Sequence, residues 1–117
     1  MTLYFKNVLD IGNLYLKEII YEWEYEPIIF FCEDENNNEY YCHTIDNRFK
    51  TDWLIYRISR ELKELLLTNK IDIRKGFKLN SNSLYYICTD GTRKKVTFND
   101  VKEFLPDEDV YAIWEET

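Results

Sequence analysis

The sequence predicts an α+β domain: an antiparallel sheet of about five to seven strands, one principal helix packed on a face, and short helical turns. Three observations support this. The stretch Leu14 to Asp34, LYLKEIIYEWEYEPIIFFCED, is dense in the β-branched and aromatic residues that suit a pleated surface. Two turn signals, Asn36-Asn37-Asn38 and Asp90-Gly91, separate runs of strand-like alternation. One segment after Ser59 carries its apolar residues at helical spacing.

Taken in order, Leu3 to Leu9 alternates loosely and reads as a short edge strand or one helical turn. Asp10 to Asn13, with Gly12, turns the chain into the first long strand. That strand is expected to run as far as Glu26-Pro27, because Pro27 cannot donate to a ladder and suits a strand boundary. Alternation then puts Tyr15, Lys17, Ile19, Tyr21, Trp23 and Tyr25 on one face. The other face begins with Leu14, Leu16 and Ile20 and turns acidic at Glu22, Glu24 and Glu26. The run Ile28 to Cys32 is apolar on both faces, as in a strand covered on both sides.

Beyond the Asn triplet a return strand runs from Glu39 to about Ile45. Asp46 to Thr51 is polar and reads as a loop, and Asp52 to Ile58 as another strand. Ser59 then caps a helix, with Glu61 in its first turn and Ile58, Leu62, Leu65 and Leu66 forming the apolar stripe. Asn69 stops it, and Asp72 caps one further turn through Gly76. Ser83 to Thr89 and Arg93 to Phe98 form the Asp90-Gly91 hairpin. Asn99 or Asp100 caps a single turn, with Asp100 and Glu103 at capping-box spacing, and Pro106 ends it. Val110 to Trp114 reads as a last strand or a terminal extension packed on the sheet.

At 117 residues and 45% hydrophobic content, the chain is expected to be a single domain spanning residues 1–117, able to bury a core without metal or disulfide. Three Cys, at 32, 42 and 88, lack CxxC spacing and read as reduced thiols. With no secretory leader pattern and no apolar run near 18 residues, the expected setting is soluble and cytoplasmic, without a membrane partner. Ten Tyr can fill half-buried sheet positions or form an aromatic contact surface.

The net charge of −7 argues against phosphate binding by the surface as a whole, since that affinity comes from Lys and Arg. The charge is unevenly spread. Residues 1–56 hold 11 acids and 4 bases, residues 57–99 hold 4 and 10, and residues 100–117 hold 7 and 1. Two acidic ends flank a basic middle.

His43 and Cys42 are adjacent in a strand, so they face opposite ways and cannot act as a nucleophile–base pair. Structural thiols and a surface histidine are expected. The acidic clusters Glu33-Asp34-Glu35 and Asp107-Glu108-Asp109 lack the central Gly and terminal Glu of a calcium loop, and read as solvated turns. No phosphate-cradling Gly loop or nucleophile elbow is present, and no metal or cofactor is expected. The basic residues Arg57, Arg60, Lys63, Lys70, Arg74, Lys75 and Lys78 either contact phosphates from one face or simply solubilise the helical side. Same-face residues in a strand lie about 6.7 Å apart, so Glu22, Glu24 and Glu26 would form a negative row that a cationic partner relieves. With Glu18, Trp23 and Tyr25 it would imitate a phosphate backbone with stacked rings, and Glu33, Asp34 and Glu35 would extend it. The alternative is an edge strand protected by charge against aggregation.

The segments Asp10-Ile11-Gly12-Asn13-Leu14, Glu26-Pro27-Ile28-Ile29-Phe30, Trp53 to Ser59, Ile71 to Phe77 and Phe104-Leu105-Pro106 follow in an order that resembles an uncharacterised small-domain family of low-GC bacteria and their phages. The resemblance covers most of the chain but rests on structural residues, so it transfers no site. It implies a small cytoplasmic accessory protein carried on a phage or mobile element. The leading functional expectation is a non-enzymatic module that binds a protein with a basic surface, in this context an inhibitor of a host defence nuclease or nucleic-acid-binding effector. The alternative is an RNA- or ligand-binding module using residues 57–95, and a third reading is a metal-dependent hydrolase built from scattered carboxylates.

Overall fold

A computed structural model of the chain describes residues 1–47 and 50–113. Among these residues seven strands form one antiparallel sheet in strict sequence order: β1 (Thr2–Val8), β2 (Gly12–Trp23), β3 (Glu26–Glu33), β4 (Glu39–Asn47), β5 (Lys50–Arg57), β6 (Leu84–Ile87) and β7 (Arg93–Val96). The helices are α1 (Arg60–Leu67), α2 (Ile73–Leu79) and α3 (Phe98–Val101). Short 3₁₀ turns at Ser81–Ser83 and Lys102–Phe104 flank the last hairpin and α3.

Each face of the sheet has its own core. Ile29, Phe31, Tyr41, Leu54, Tyr56 and Leu84 meet the helical side, where Leu66, Ile73, Phe77, Val101 and Leu105 close over them. The opposite face gathers Phe5, Leu14, Phe30, Cys32, Cys42, Ile55 and Ile87, with no helix among the described residues to cover it. The sheet's own curl supplies the cover. Phe5 on β1 reaches Trp53 on β5, with ring centres 5.3 Å apart, and the Arg93 guanidinium on β7 donates to the Lys6 carbonyl on β1.

Local chemistry sets the helix starts. Ser59 accepts from the Leu62 N–H (3.2 Å), and Asp72 from the Lys75 N–H (2.7 Å), so each satisfies a donor that the first turn leaves open. Asn69 follows α1 at φ 57°, a left-handed stop that Asn tolerates. Leu65 is half-exposed rather than buried in the stripe; Leu66 and Leu62 do the packing. The helix that Asp72 opens continues past Gly76 to Leu79. The helical cover is thus spread over three short helices, α1, α2 and α3, of eight, seven and four residues, and no one of them stands out as a principal helix.

Three expected boundaries differ. The first long strand does not reach Pro27: the chain reverses at Glu24 and Tyr25, both at positive φ (50° and 69°), and Pro27 lies inside β3 opposite Glu22. Pro27 is tolerated there without a ladder N–H, while its carbonyl accepts from the Thr44 hydroxyl at 2.6 Å. Asp46, Asn47, Lys50 and Thr51, expected in a loop, belong to strands, because β4 and β5 pair through Asp46–Thr51 and Asn47–Lys50. The last cap is Thr97 rather than Asn99 or Asp100, with Asp100 accepting the Thr97 N–H at 2.8 Å as the return half of a capping box. After Pro106 the chain docks on the α1–α2 connection. Ile73 N–H donates to the Val110 carbonyl, Asn69 and Ile113 exchange two hydrogen bonds, and Ala112 is buried. Trp114, expected to end this segment, lies outside the described residues.

Candidate functional site

The β2–β3 hairpin is the element that least resembles the rest of the core. β2 starts well packed at Leu14, yet from Lys17 onward it is mostly exposed. Register shifts between Leu16 and Glu18, Ile19 and Tyr21, and Tyr21 and Glu22 break the alternation, so neither predicted face survives along its length. Ile19, Tyr21, Trp23 and Tyr25 stand exposed, Trp23 at 62% and Tyr25 at 97%. Glu22, Glu24 and Glu26 alternate with Trp23 and Tyr25 along the same hairpin end and make no ion pair among the described residues.

The expected straight row of carboxylates on one strand is therefore absent. Glu22 is the penultimate residue of β2, Glu24 is in the turn, and Glu26 opens β3 opposite Trp23. The structure instead puts all three at one hairpin end, beside Trp23 and Tyr25 in the chain. A two-residue turn with both φ values positive favours Asn-Gly, since a Cβ crowds the backbone in that region. Here Glu and Tyr occupy it.

The other acidic residues named from sequence serve different ends. Asp34 is buried, and its carboxylate accepts from the N–H groups of Asn36 and Asn38 (both 2.9 Å), the Asn38 side-chain amide (3.0 Å) and the Tyr40 hydroxyl (3.4 Å). Burial pushes its pKa up, but these bonds outweigh it and hold the carboxyl below the usual range. Burial, reinforced by the Asp34 charge, pushes Tyr40 up to about 12. Asp34 is a turn-builder, so it leaves the candidate surface. Glu33 pairs with Lys17 (3.4 Å) and Glu18 with Lys63 (3.7 Å), while Glu39 bridges Lys63 (2.6 Å) and Lys17 (3.2 Å). Burial raises the Glu39 pKa less than these two lysines lower it, so it too is held down. Glu35 is exposed and accepts from the Tyr15 hydroxyl.

The basic segment divides as well. Lys63 is spent on Glu39 and lies over the Phe31 ring at 4.6 Å. Arg57 donates to the Asn38 side chain at 2.7 Å and, with Arg60, borders a polar hollow of about 500 Å³ beside Ser59, Asn80 and Ser83. Lys70 is exposed beyond α1. Arg74, Lys75 and Lys78 on α2 meet Lys102, which lies outside the predicted basic segment, around a second cleft. No single face collects all seven.

His43 is buried rather than on the surface. Its strand presents it to the helical side, where it shares a 2.9 Å hydrogen bond with Tyr41 and packs edge-on against Phe77. Burial lowers its pKa to about 4. Cys42 faces the opposite core, as strand alternation requires, and burial raises its thiol well above the ordinary range. Cys88 is raised too, by burial first and then by the Asp52 and Asp90 carboxylates, which is contrary to activating a nucleophile. Buried Asp52 accepts from the Tyr86 hydroxyl (2.5 Å) and the Thr89 N–H (3.2 Å), tying the start of β5 to the last hairpin. Among the described residues no three His, Cys, Asp or Glu side chains converge as a metal site, and no helix is long and apolar enough to cross a membrane.

No family model, curated protein or solved structure matches this chain.

Proposed function

We propose that the protein is a non-enzymatic interaction module whose β2–β3 hairpin tip binds a protein partner with a basic surface. The observation that carries this reading is the exposure of Trp23 and Tyr25 at a backbone reversal unfavourable to both of its residues, where Glu22, Glu24 and Glu26 alternate with them in the chain and form no ion pair among the described residues. Trp and Tyr are the side chains that most often anchor interfaces, because a large rigid area is buried at small entropic cost. Glu22, Glu24 and Glu26 would supply steering and register against Lys and Arg on the partner. A basic groove that normally accepts nucleic acid, with phosphates and stacked bases, offers matching chemistry. In the mobile-element setting implied by the sequence resemblance, the natural partner is a defence nuclease or nucleic-acid-binding effector, inhibited by occupation of that groove.

The test is a tagged pull-down from host lysate at low and high salt, repeated with the Glu22→Lys, Glu24→Lys, Glu26→Lys triple variant and with Trp23→Ala, Tyr25→Ala. One stoichiometric basic protein, retained by the parent chain and lost with both variants, is the expected result. Retention of that partner by both folded variants overturns the assignment of the tip.

A further inference from the structure

The cleft between α2 and α3 concentrates positive charge on a chain whose net charge is −7. Arg74, Lys75, Lys78 and Lys102 line it together with Phe98 and Asn99, and it encloses about 390 Å³. Two acids border it, Asp72 and Glu108. Asp72 is already committed: one carboxylate oxygen accepts the Lys75 N–H (2.7 Å) and the other the Asp109 N–H (3.0 Å). None of the four cations has a carboxylate within ion-pair distance among the described residues. Four like charges around one hollow repel each other, and an anion placed among them removes that repulsion.

The cleft is also held in shape. Arg74 Nη1 donates to the carbonyls of Lys102 (3.1 Å) and Pro106 (3.3 Å), and its guanidinium lies over the Phe98 ring at 5.3 Å. Those contacts fix the fork and leave Nη2 without a partner among the described residues. A planar guanidinium fixed in this way suits the paired oxygens of a phosphate, with ammonium groups adding point charges around it. The volume lies at the lower end of the range for small-molecule pockets, roughly 300–1,000 Å³. It suits a phosphorylated small molecule better than a polymer track.

We propose that this cleft binds the phosphate groups of a small phosphorylated molecule such as a nucleoside diphosphate. Arg74 is the oriented donor, Lys75, Lys78 and Lys102 are the surrounding charges, and the Phe98 edge and Asn99 amide border the attached group. This site is separate from the hairpin tip and does not depend on the reading given to that tip. The negative net charge opposes anion capture by the molecule as a whole, so any affinity has to arise locally.

Calorimetric titration with inorganic pyrophosphate, with ADP, and with a 5′-phosphorylated oligonucleotide tests this. The parent chain is compared with Lys75→Ala, Lys102→Ala and with a control of equal charge loss on β7, Lys94→Ala, Lys95→Ala. Saturable binding of pyrophosphate or ADP is expected, weakened roughly tenfold or more by the cleft pair, tenfold being about 1.4 kcal/mol. The control pair should leave it within about twofold. Absence of pyrophosphate and ADP binding, equal loss in both double variants, or binding of the oligonucleotide alone each overturns the proposal.

Discussion

Removing one oxygen from the middle of the core should make this protein more stable. Tyr56 is fully buried, and its hydroxyl has no hydrogen-bond partner among the described residues. Its ring is well placed, stacked on Tyr41 at 5.0 Å and edge-on to Phe77 at 5.2 Å, so Tyr56→Phe keeps the packing and removes only the unsatisfied group. A buried polar group without a partner costs about 1–3 kcal/mol, and the lost oxygen forfeits a little dispersion, so the variant should gain about 1 kcal/mol. The same oxygen explains Gly76. A Cβ there would sit 2.7 Å from the Tyr56 hydroxyl, so Gly76→Ala gains about 1 kcal/mol of helix propensity but meets an overpacking cost of about 1–3 kcal/mol. In the Tyr56→Phe background the obstruction is gone and the propensity gain remains. The two changes should therefore couple by about 1–2 kcal/mol, read from urea midpoints at constant m in a double-mutant cycle. A loss of more than about 1 kcal/mol for Tyr56→Phe would mean that the hydroxyl has a partner. An equal Gly76→Ala effect in both backgrounds would remove the steric account.

The remaining predictions use the same denaturation assay with binding or pH as the second axis. Replacing Glu24-Tyr25 by Asn-Gly relaxes both positive-φ residues and should raise stability by about 1 kcal/mol while abolishing partner capture; a stability loss contradicts the strain argument. Trp23→Ala and Tyr25→Ala should each change stability by less than about 0.5 kcal/mol, because both are exposed, and a larger loss would make the tip structural. His43, shifted from 6.5 to about 4 by burial, is charged more readily when unfolded, so stability should fall as pH drops between those values by about 3 kcal/mol in total. The depressed Asp34 carboxyl adds loss in the same direction at more acid pH, and a profile flat from pH 7 to 5 contradicts the His43 assignment. Asp34→Ala strips acceptors from four hydrogen bonds and should cost about 2 kcal/mol; a change under about 0.5 would show that water replaces them freely.

What was legible in the sequence is what local chemistry decides. Ser59 and Asp72 cap their helices because each cap needs only its own next three residues. Asn37 at φ 66° and Gly91 at φ 91° turn the chain where Asn and Gly permit it. The β2–β3 reversal was not legible because Glu24-Tyr25 carries no turn chemistry, and Pro27 gave a nearer-looking boundary. Register shifts in β2 likewise leave no mark in composition, so the predicted aromatic face dissolved. The burial of His43 depends on Phe77, which is 34 positions away. The pairing of Lys63 with Glu39 and the meeting of Arg74 with Lys102 are also long-range facts of the sheet's closure, invisible to any local pattern.

The two readings of the tyrosine content, packing and contact, turn out to be divided by position. Of the ten, Tyr40, Tyr41, Tyr56 and Tyr86 are buried and four more are half-buried, so packing accounts for most of the excess. Tyr21 and Tyr25 alone are exposed, and both belong to the hairpin that also exposes Trp23. Charge divides in the same way. Lys17 and Lys63 pair with Glu18, Glu33 and Glu39 close to the sheet, while Glu22, Glu24 and Glu26 at the tip form no ion pair among the described residues. Arg74, Lys75, Lys78 and Lys102, around α2 and α3, form no ion pair among the described residues, although Asp72 and Glu108 border the same cleft. A fold tuned for stability alone would gain by pairing these surplus charges or replacing the tip residues. The two groups, of opposite sign and on different elements, are what the two proposed ligands rest on.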